Sequence, residues 1–307
     1  MKSIRTICIR IMFLAIPFLG LAQQYPQFSQ YMFNTISFNP AYAGSREIMV
    51  INLLNRNQWV GIDGAPETQT FSVHSSIPFT KLGVGLSVIS DKIGYEETSN
   101  VFADVSYRLD LDSYDEYKIT FGLKAGFRKY GVNEELLNDP NSNNDPLLNR
   151  IDTSWRPNFG VGVYFRGESF YVGFSAPKLF NYKNVSEFVS LDRVSYFING
   201  GYLMDVNLSL KFKPSFMIKY TEGAPWSFDV SAMFLLNENI WLGASYRISD
   251  AVGALVNIKI IEGLSVGYSY EYITSSLGNY TSGSHEMMLN YEFNFPKPRC
   301  KCKHLYN

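Results

Sequence analysis

Three histidines, His74, His285 and His304, are the side chains of this chain best suited to general acid or base chemistry. The His-Glu-x-x-His motif of zinc proteases does not occur. The one Gly-x-Ser-x-Gly match, at residues 263–267 (GLSVG), lies in a predicted strand, whereas the serine hydrolase motif lies at a turn from a strand to a helix. The sequence therefore carries no catalytic motif in its expected context and predicts a protein that is not an enzyme. A serine, a histidine and an acid brought together from separate segments stay open as a hydrolase site.

Two cysteines, Cys300 and Cys302, lie with His304 in a basic tail at residues 296–307. Thiolates and imidazoles bind zinc, but three ligands at this tight spacing match no standard zinc pattern. The third cysteine, Cys8, lies in the leader described below, so there is no disulfide framework. We expect a solvated tail, with no metal and no cofactor.

Charged side chains alternate with apolar ones along most of the chain, as in a strand whose successive side chains point to opposite faces. From Leu264 to Tyr272 one face is apolar and aromatic, and the other is small and polar. A charge on a lipid-exposed face costs about 2–4 kcal/mol at mid-membrane, which favours an inward charged face. The predicted lumen-lining residues are Asp104, Arg108, Lys124, Arg128, Asp229, Arg247, Lys259 and Glu271.

The alternation predicts about fourteen strands, an even number that suits a closed bacterial barrel. Their approximate bounds are 48–55, 69–78, 81–90, 99–109, 117–128, 157–166, 168–177, 194–206, 208–220, 226–236, 238–248, 251–260, 262–273 and 284–295. Connections at one end are predicted to be short turns, apart from a longer link at 110–116. Those at the other end are predicted to be longer loops, at 56–68, 91–98, 129–156, 178–193 and 275–283. Short periplasmic turns and longer outer loops are the outer-membrane pattern.

The first residues form a basic leader, an apolar run at 11–19 and small residues up to Ala22. The run is shorter than the roughly 20 residues of a spanning helix. We expect a signal peptide at residues 1–22, cleaved after Ala22. Because Cys8 lies inside the apolar run and no cysteine follows the cut, processing as a lipoprotein is not expected.

Together these features predict an all-β fold, a single transmembrane antiparallel barrel in the outer membrane. A periplasmic N-terminal segment at 23–47 precedes the barrel at 48–295, and the basic tail follows. No long apolar run remains after the leader, which excludes a helical membrane protein. The net charge of −1 argues against a nucleic-acid partner.

The predicted lumen admits two interpretations, since its charges have both signs with a cationic excess. Paired charges would close it, whereas unpaired cations would line an anion-preferring pore. Four aromatic residues are predicted to point inward, and they favour closure: Tyr164, Tyr171, Phe197 and Trp241.

Short motifs along the whole mature chain carry a resemblance to a known family. They are 26–34 (PQFSQYMFN), 38–45 (FNPAYAGS), 57–61 (NQWVG), 64–66 (GAP), 157–160 (PNFG), 170–173 (FYVG), 213–215 (KPS), 241–247 (WLGASYR), 250–253 (DAVG), 267–270 (GYSY), 277–278 (LG) and 283–286 (GSHE). In their order and spacing the chain resembles the PorP/SprF family of type IX secretion system outer-membrane proteins.

The resemblance implies a non-enzymatic barrel that helps secretion or surface attachment of particular cargo proteins, gliding adhesins among them. The implied partners are the cargo, the PorK/PorN ring and a peptidoglycan-binding lipoprotein like PorE. A passive anion-preferring porin is the alternative.

Candidate partner-binding residues lie outside the strand pattern. Those before the first strand are Phe28, Gln30, Tyr31, Asn39, Pro40 and Tyr42. This segment either caps or plugs the periplasmic end or serves as a docking strip for a periplasmic partner. Trp59 and Pro66 stand in an outer loop that is suited to recognition, although Trp59 equally suits the aromatic belt of a membrane protein.

Overall fold

One antiparallel sheet closes on itself in the computed structural model, which describes residues 25–114, 116–132, 153–181 and 193–293. Its strands are β1 (Met49–Asn57), β2 (Glu67–Ser76), β3 (Leu82–Ile93), β4 (Glu96–Asp110), β5 (Lys118–Val132), β6 (Arg156–Arg166), β7 (Phe170–Ala176), β8 (Ser195–Tyr202), β9 (Met204–Asn207), β10 (Leu210–Thr221), β11 (Ser227–Leu236), β12 (Ile240–Arg247), β13 (Ala251–Ile261), β14 (Leu264–Ile273) and β15 (Ser284–Phe293). Each strand pairs with the next strand in sequence, except that β8 and β9 both pair with β10 and not with each other, and β15 pairs with β1. Because β8 and β9 both pair with β10, they are two halves of one strand, and the barrel has fourteen strands over the described ranges.

The prediction of an antiparallel barrel of about fourteen strands is confirmed, and each predicted range overlaps an observed strand. The loop predicted at 91–98 is wrong. There β3 runs on to Ile93 and β4 begins at Glu96, so only Gly94 and Tyr95 connect them. Gly94 has a φ of +58°, a conformation that glycine adopts readily in tight turns.

Inward and outward side chains alternate as the period-two pattern predicts. On β5, Leu123 is 66% exposed on the outer surface, whereas Lys124 is 1% exposed inside. The outer surface is apolar, and most buried polar and charged side chains lie on the inner surface. No helix among the described residues is long and apolar enough to cross a membrane.

Residues 25–47 lie inside the barrel and are called the plug below. Two single-turn 3-10 helices, Thr35–Ser37 and Pro40–Tyr42, fold the plug, and the Asn39 side chain accepts a 3.0 Å hydrogen bond from the Ala41 N–H. Its apolar side chains form a core with the barrel wall. For example, the ring centroids of Phe38 and Phe197 are 5.4 Å apart.

The plug runs along the lumen from one end to the other. Its first residue, Tyr25, accepts a 2.6 Å hydrogen bond at its carbonyl oxygen from Lys219, near the end of the barrel that carries loop 58–66. Its last residue, Glu47, contacts strands β4 and β5 near the connection between them, residues 111–117. We call these two ends the loop end and the turn end.

Candidate functional site

An ion-pair cluster holds the start of the plug at the loop end. Arg56 on β1 contacts Glu271 at 2.6 Å and Glu286 at 3.0 Å. Glu286 also accepts hydrogen bonds of 2.9 Å from the backbone N–H groups of Ser29 and Gln30. Both Arg56 and Glu286 are fully buried. Buried charges are tolerated only when they are paired and hydrogen-bonded. Arg56 of the barrel and the two N–H groups of the plug together meet this requirement for Glu286.

The cluster continues along the same side of the wall, to strands β12 and β11. Arg247 on β12 pairs with Asp229 on β11 at 2.7 Å and reaches Glu271 at 3.4 Å. Gln27 of the plug donates hydrogen bonds to Asp229 and to Ser227. Charged groups from five strands of the wall, β1, β11, β12, β14 and β15, thus meet around residues 27–30 at the loop end.

A second buried pair holds the middle of the plug. Asp104 and Lys124 lie opposite each other on β4 and β5, with 3.0 Å between their charged groups. Lys124 also donates to the carbonyl oxygen of Ile36 in the plug and to the hydroxyl of Ser87. The lysine therefore satisfies a plug carbonyl as well as its own carboxylate partner.

Two glycines of the wall let the plug backbone approach closely. A Cβ added at Gly122 would overlap backbone atoms of Pro40 and Ala41, and one added at Gly83 would overlap the carbonyl of Ala43. Any larger residue at either position would push the plug out of its place.

The last residue of the plug lies among three cations at the turn end. The Glu47 carboxylate is 2.9 Å from Arg108 and from Lys118, and 3.6 Å from Arg166. The hydrogen bond from Lys118, followed by the charges of Lys118 and the two arginines, lowers the pKa of this carboxyl below its usual range. Arg46 beside it pairs with Glu292 at 2.8 Å.

The structure places the predicted lumen charges as follows. Asp104, Lys124, Arg128, Asp229, Arg247 and Glu271 are buried on the inner surface, and Arg108 and Lys259 lie toward the turn end. Among the other polar residues, His74 accepts a 3.2 Å hydrogen bond from the Gly44 N–H, so its ring is engaged with the plug.

The predicted N-terminal partner residues lie in the plug rather than on a free surface. Phe28, Gln30, Tyr31, Asn39 and Pro40 are all buried. Tyr42 is half-buried and packs against His74 and Tyr164 with ring centroids 5.3 Å away. The barrel wall covers these five residues in this arrangement, and their assignment to partner binding stays a prediction.

Trp59 and Pro66 lie in the loop between β1 and β2, at the loop end. This loop is tied to its neighbours by backbone hydrogen bonds, from Val60 to Gly283 at 2.8 Å and from Gly94 to Gly64 at 2.8 Å. These hydrogen bonds fix the position of the loop relative to the neighbouring connections.

Three apolar side chains at turn tips were missed by the sequence reasoning. Phe79, Tyr114 and Leu208 are 93%, 85% and 104% exposed in the connections after β2, β4 and β9. Phe79 also has a φ of +61°, which is unusual for a bulky residue. Large apolar residues in the connections 77–81, 111–117 and 208–209 are the sequence signal for them.

Several predictions fall outside the described residues. These are the signal peptide with its cleavage after Ala22, the centre of the loop at 129–156, and the tail with Cys300 and Cys302. They stay predictions.

A closed antiparallel barrel with an apolar outer surface and a charged interior is the architecture of an outer-membrane β-barrel protein. Residues 20–291 match the family described as type IX secretion system membrane protein PorP/SprF. The chain belongs to this family and is an outer-membrane barrel of type IX secretion. The turn end is accordingly the periplasmic end, and the loop end is extracellular.

The solved structures to which this chain is similar include an outer membrane protein, a FadL homologue and a porin. The chain is 12% identical to Omp33 of Acinetobacter baumannii, with 81% of this chain and 98% of that one covered and a TM-score of 0.44. The chain is 12% identical to a FadL homologue of Pseudomonas aeruginosa, with 89% of this chain and 95% of that one covered and a TM-score of 0.48. It is 9% identical to the KdgM porin, with 80% of this chain and 99% of that one covered and a TM-score of 0.37. A comparison with curated protein sequences found no match.

Proposed function

We propose that this barrel works by binding proteins at its two ends, and that it helps secretion or surface attachment of specific cargo such as gliding adhesins. The observation that carries the proposal is the plug, which occupies the lumen and is held at the loop end by the Arg56 cluster. A filled lumen supports a binding role over that of a passive anion-preferring porin.

The periplasmic partners in this proposal are parts of the secretion machinery, a PorK/PorN ring and a PorE-like lipoprotein. Phe79, Tyr114 and Leu208 supply exposed apolar anchors at the periplasmic rim, of the kind that dominate the energetics of protein interfaces. Their connections follow one another around the rim, with only the turn between β6 and β7 in between.

The extracellular partner in this proposal is the cargo, which contacts the fixed loop with Trp59 and Pro66. A rigid loop binds with a smaller entropic cost than a mobile one, because it is already ordered. The hydrogen bonds of Val60 and Gly64 to the neighbouring connections supply that rigidity.

Co-purification from native membranes in mild detergent tests the proposal, with the tagged full chain as bait. We expect type IX components and a secreted surface protein in the eluate. Recovery of the barrel alone would count against the binding role.

Two variants separate the two ends of the barrel. The triple variant F79S/Y114S/L208S is expected to lose the periplasmic components and to keep the surface protein. Trp59→Ser is expected to do the reverse. Tyr280→Ser is the matched control, because Tyr280 is 75% exposed at the loop end and is assigned no partner.

A further inference from the structure

A cavity of about 640 Å³ lies between the plug and the barrel wall. Its mouth is formed by three short connections at the periplasmic end, 167–169, 237–239 and 262–263. Its inner end is lined by Met32 and Phe33 of the plug. The volume is within the range of about 300–1,000 Å³ for ligand pockets. Among the described residues, the cavity therefore has its mouth at the periplasmic end and the plug at its inner end.

A single lysine side chain stands in the aromatic part of this pocket. The ammonium of Lys213 lies 5.6 Å from the ring centroid of Phe33, 5.5 Å from that of Tyr171 and 5.7 Å from that of Trp241. The three rings come from the plug, β7 and β12, so the site exists only when the plug is in place. Ring faces attract cations, and they hold the ammonium in position.

Within the described part of the chain, Lys213 has no carboxylate partner, whereas two cations near it, Arg46 and Lys211, each have one. Arg46 pairs with Glu292 at 2.8 Å, and Glu238 at the mouth pairs with Lys211 at 2.8 Å. An ammonium has three donors and no acceptor, so rings alone leave its hydrogen-bonding capacity unused. A carboxylate oxygen is the complement that this position lacks.

We propose that the pocket binds the C-terminal carboxylate of a peptide that enters from the periplasm. Lys213 pairs with the carboxylate, and Phe33, Tyr171 and Trp241 contact the apolar side chain of the last residue. A free inorganic anion would leave the aromatic walls and most of the volume unused. A closed inner end favours a chain terminus over an acidic side chain within a longer chain. The proposal does not depend on the function proposed above.

Binding to the purified full chain in detergent tests this site. The probe is fluorescein-Gly-Gly-Phe-Leu with a free C-terminus, compared with its C-terminal amide by fluorescence anisotropy. We expect the free acid to bind about tenfold more tightly, because charge-assisted hydrogen bonds are about twice as strong as neutral ones. In Lys213→Gln the difference should vanish. In Lys92→Gln, at the extracellular end, it should persist.

Several outcomes would overturn the proposal. They are equal binding of acid and amide by the wild type, an unchanged preference in Lys213→Gln, and equal competition by inorganic phosphate. Tight binding of the same peptide with an internal glutamate and an amidated end would overturn the assignment to a chain terminus. Should Lys213→Gln fail to fold, Trp241→Leu is expected to weaken both peptides, and unchanged binding there would count against the site.

Discussion

Arg56 and Glu286 face each other across the seam where the first strand pairs with the last, with 3.0 Å between their charged groups. The same carboxylate accepts the N–H groups of Ser29 and Gln30. This buried ion pair therefore contributes both to the pairing of the first strand with the last and to the binding of the plug.

Glu286→Gln should destabilise the folded barrel, because Arg56 and the two plug amides lose a charged acceptor in a buried site. Breaking a buried pair costs about 3–5 kcal/mol. Unfolding by guanidinium in lipid vesicles measures the loss. Glu292→Gln, on the same strand but half-exposed at the rim, is the control and should cost much less. Equal losses in the two variants would contradict the role given to Glu286.

Asp104 and Lys124 should be strongly coupled. Each of Asp104→Leu and Lys124→Met leaves one buried charge unpaired and should destabilise by about 3–5 kcal/mol, whereas the double variant should lose clearly less than the sum. If the two losses of stability add up in the double variant, Asp104 and Lys124 do not stabilise each other as a pair.

Gly122→Val should displace the middle of the plug, since a side chain there overlaps the backbone of Pro40 and Ala41. We expect new protease cleavage sites within residues 35–47, detected by mass spectrometry after limited proteolysis of the intact barrel.

Gly131→Val is the matched control for this experiment. Gly131 lies on the same strand, and a Cβ there meets only the Glu97 carbonyl oxygen at 4.0 Å. If both variants resist the protease as the wild type does, the close approach at Gly122 does not hold the plug in place.

Acid should weaken the attachment of the plug at Glu47. Its pKa is lowered in the folded chain, chiefly by the hydrogen bond from Lys118, so its stabilising contribution is present above the ordinary carboxyl value of 4.5 and is lost as pH falls through the folded value. Glu47→Gln should therefore lower the thermal midpoint above about pH 5 and converge with the wild type in stronger acid. A difference that grows as the pH falls would contradict the assignment.

The sequence predicts the wall of this molecule well, because period-two patterning is a local property. The contrast between Leu123 and Lys124 on β5 can be recognised from alternation alone and is seen in the structure. Alternation alone does not locate the ends of the strands. β3 and β4 continue beyond the residues whose hydrophobicity alternates, so that only Gly94 and Tyr95 connect them.

The contents of the lumen depend on contacts between distant residues and were predicted only as alternatives. Ser29 and Glu286 are far apart in the chain, and no local pattern pairs them. The approach of Ala41 to Gly122 has no sequence signal beyond a small residue at an inward position. The pocket at Lys213 combines rings from three separate segments and was not predicted.

Single-channel recording of the purified barrel in planar bilayers tests the central claim most directly, which is that the chain's own N-terminal segment occupies the lumen. We expect the wild type to show no persistent open conductance and Gly122→Val to open. A large, persistently open channel in the wild type would contradict the account and would favour the passive porin.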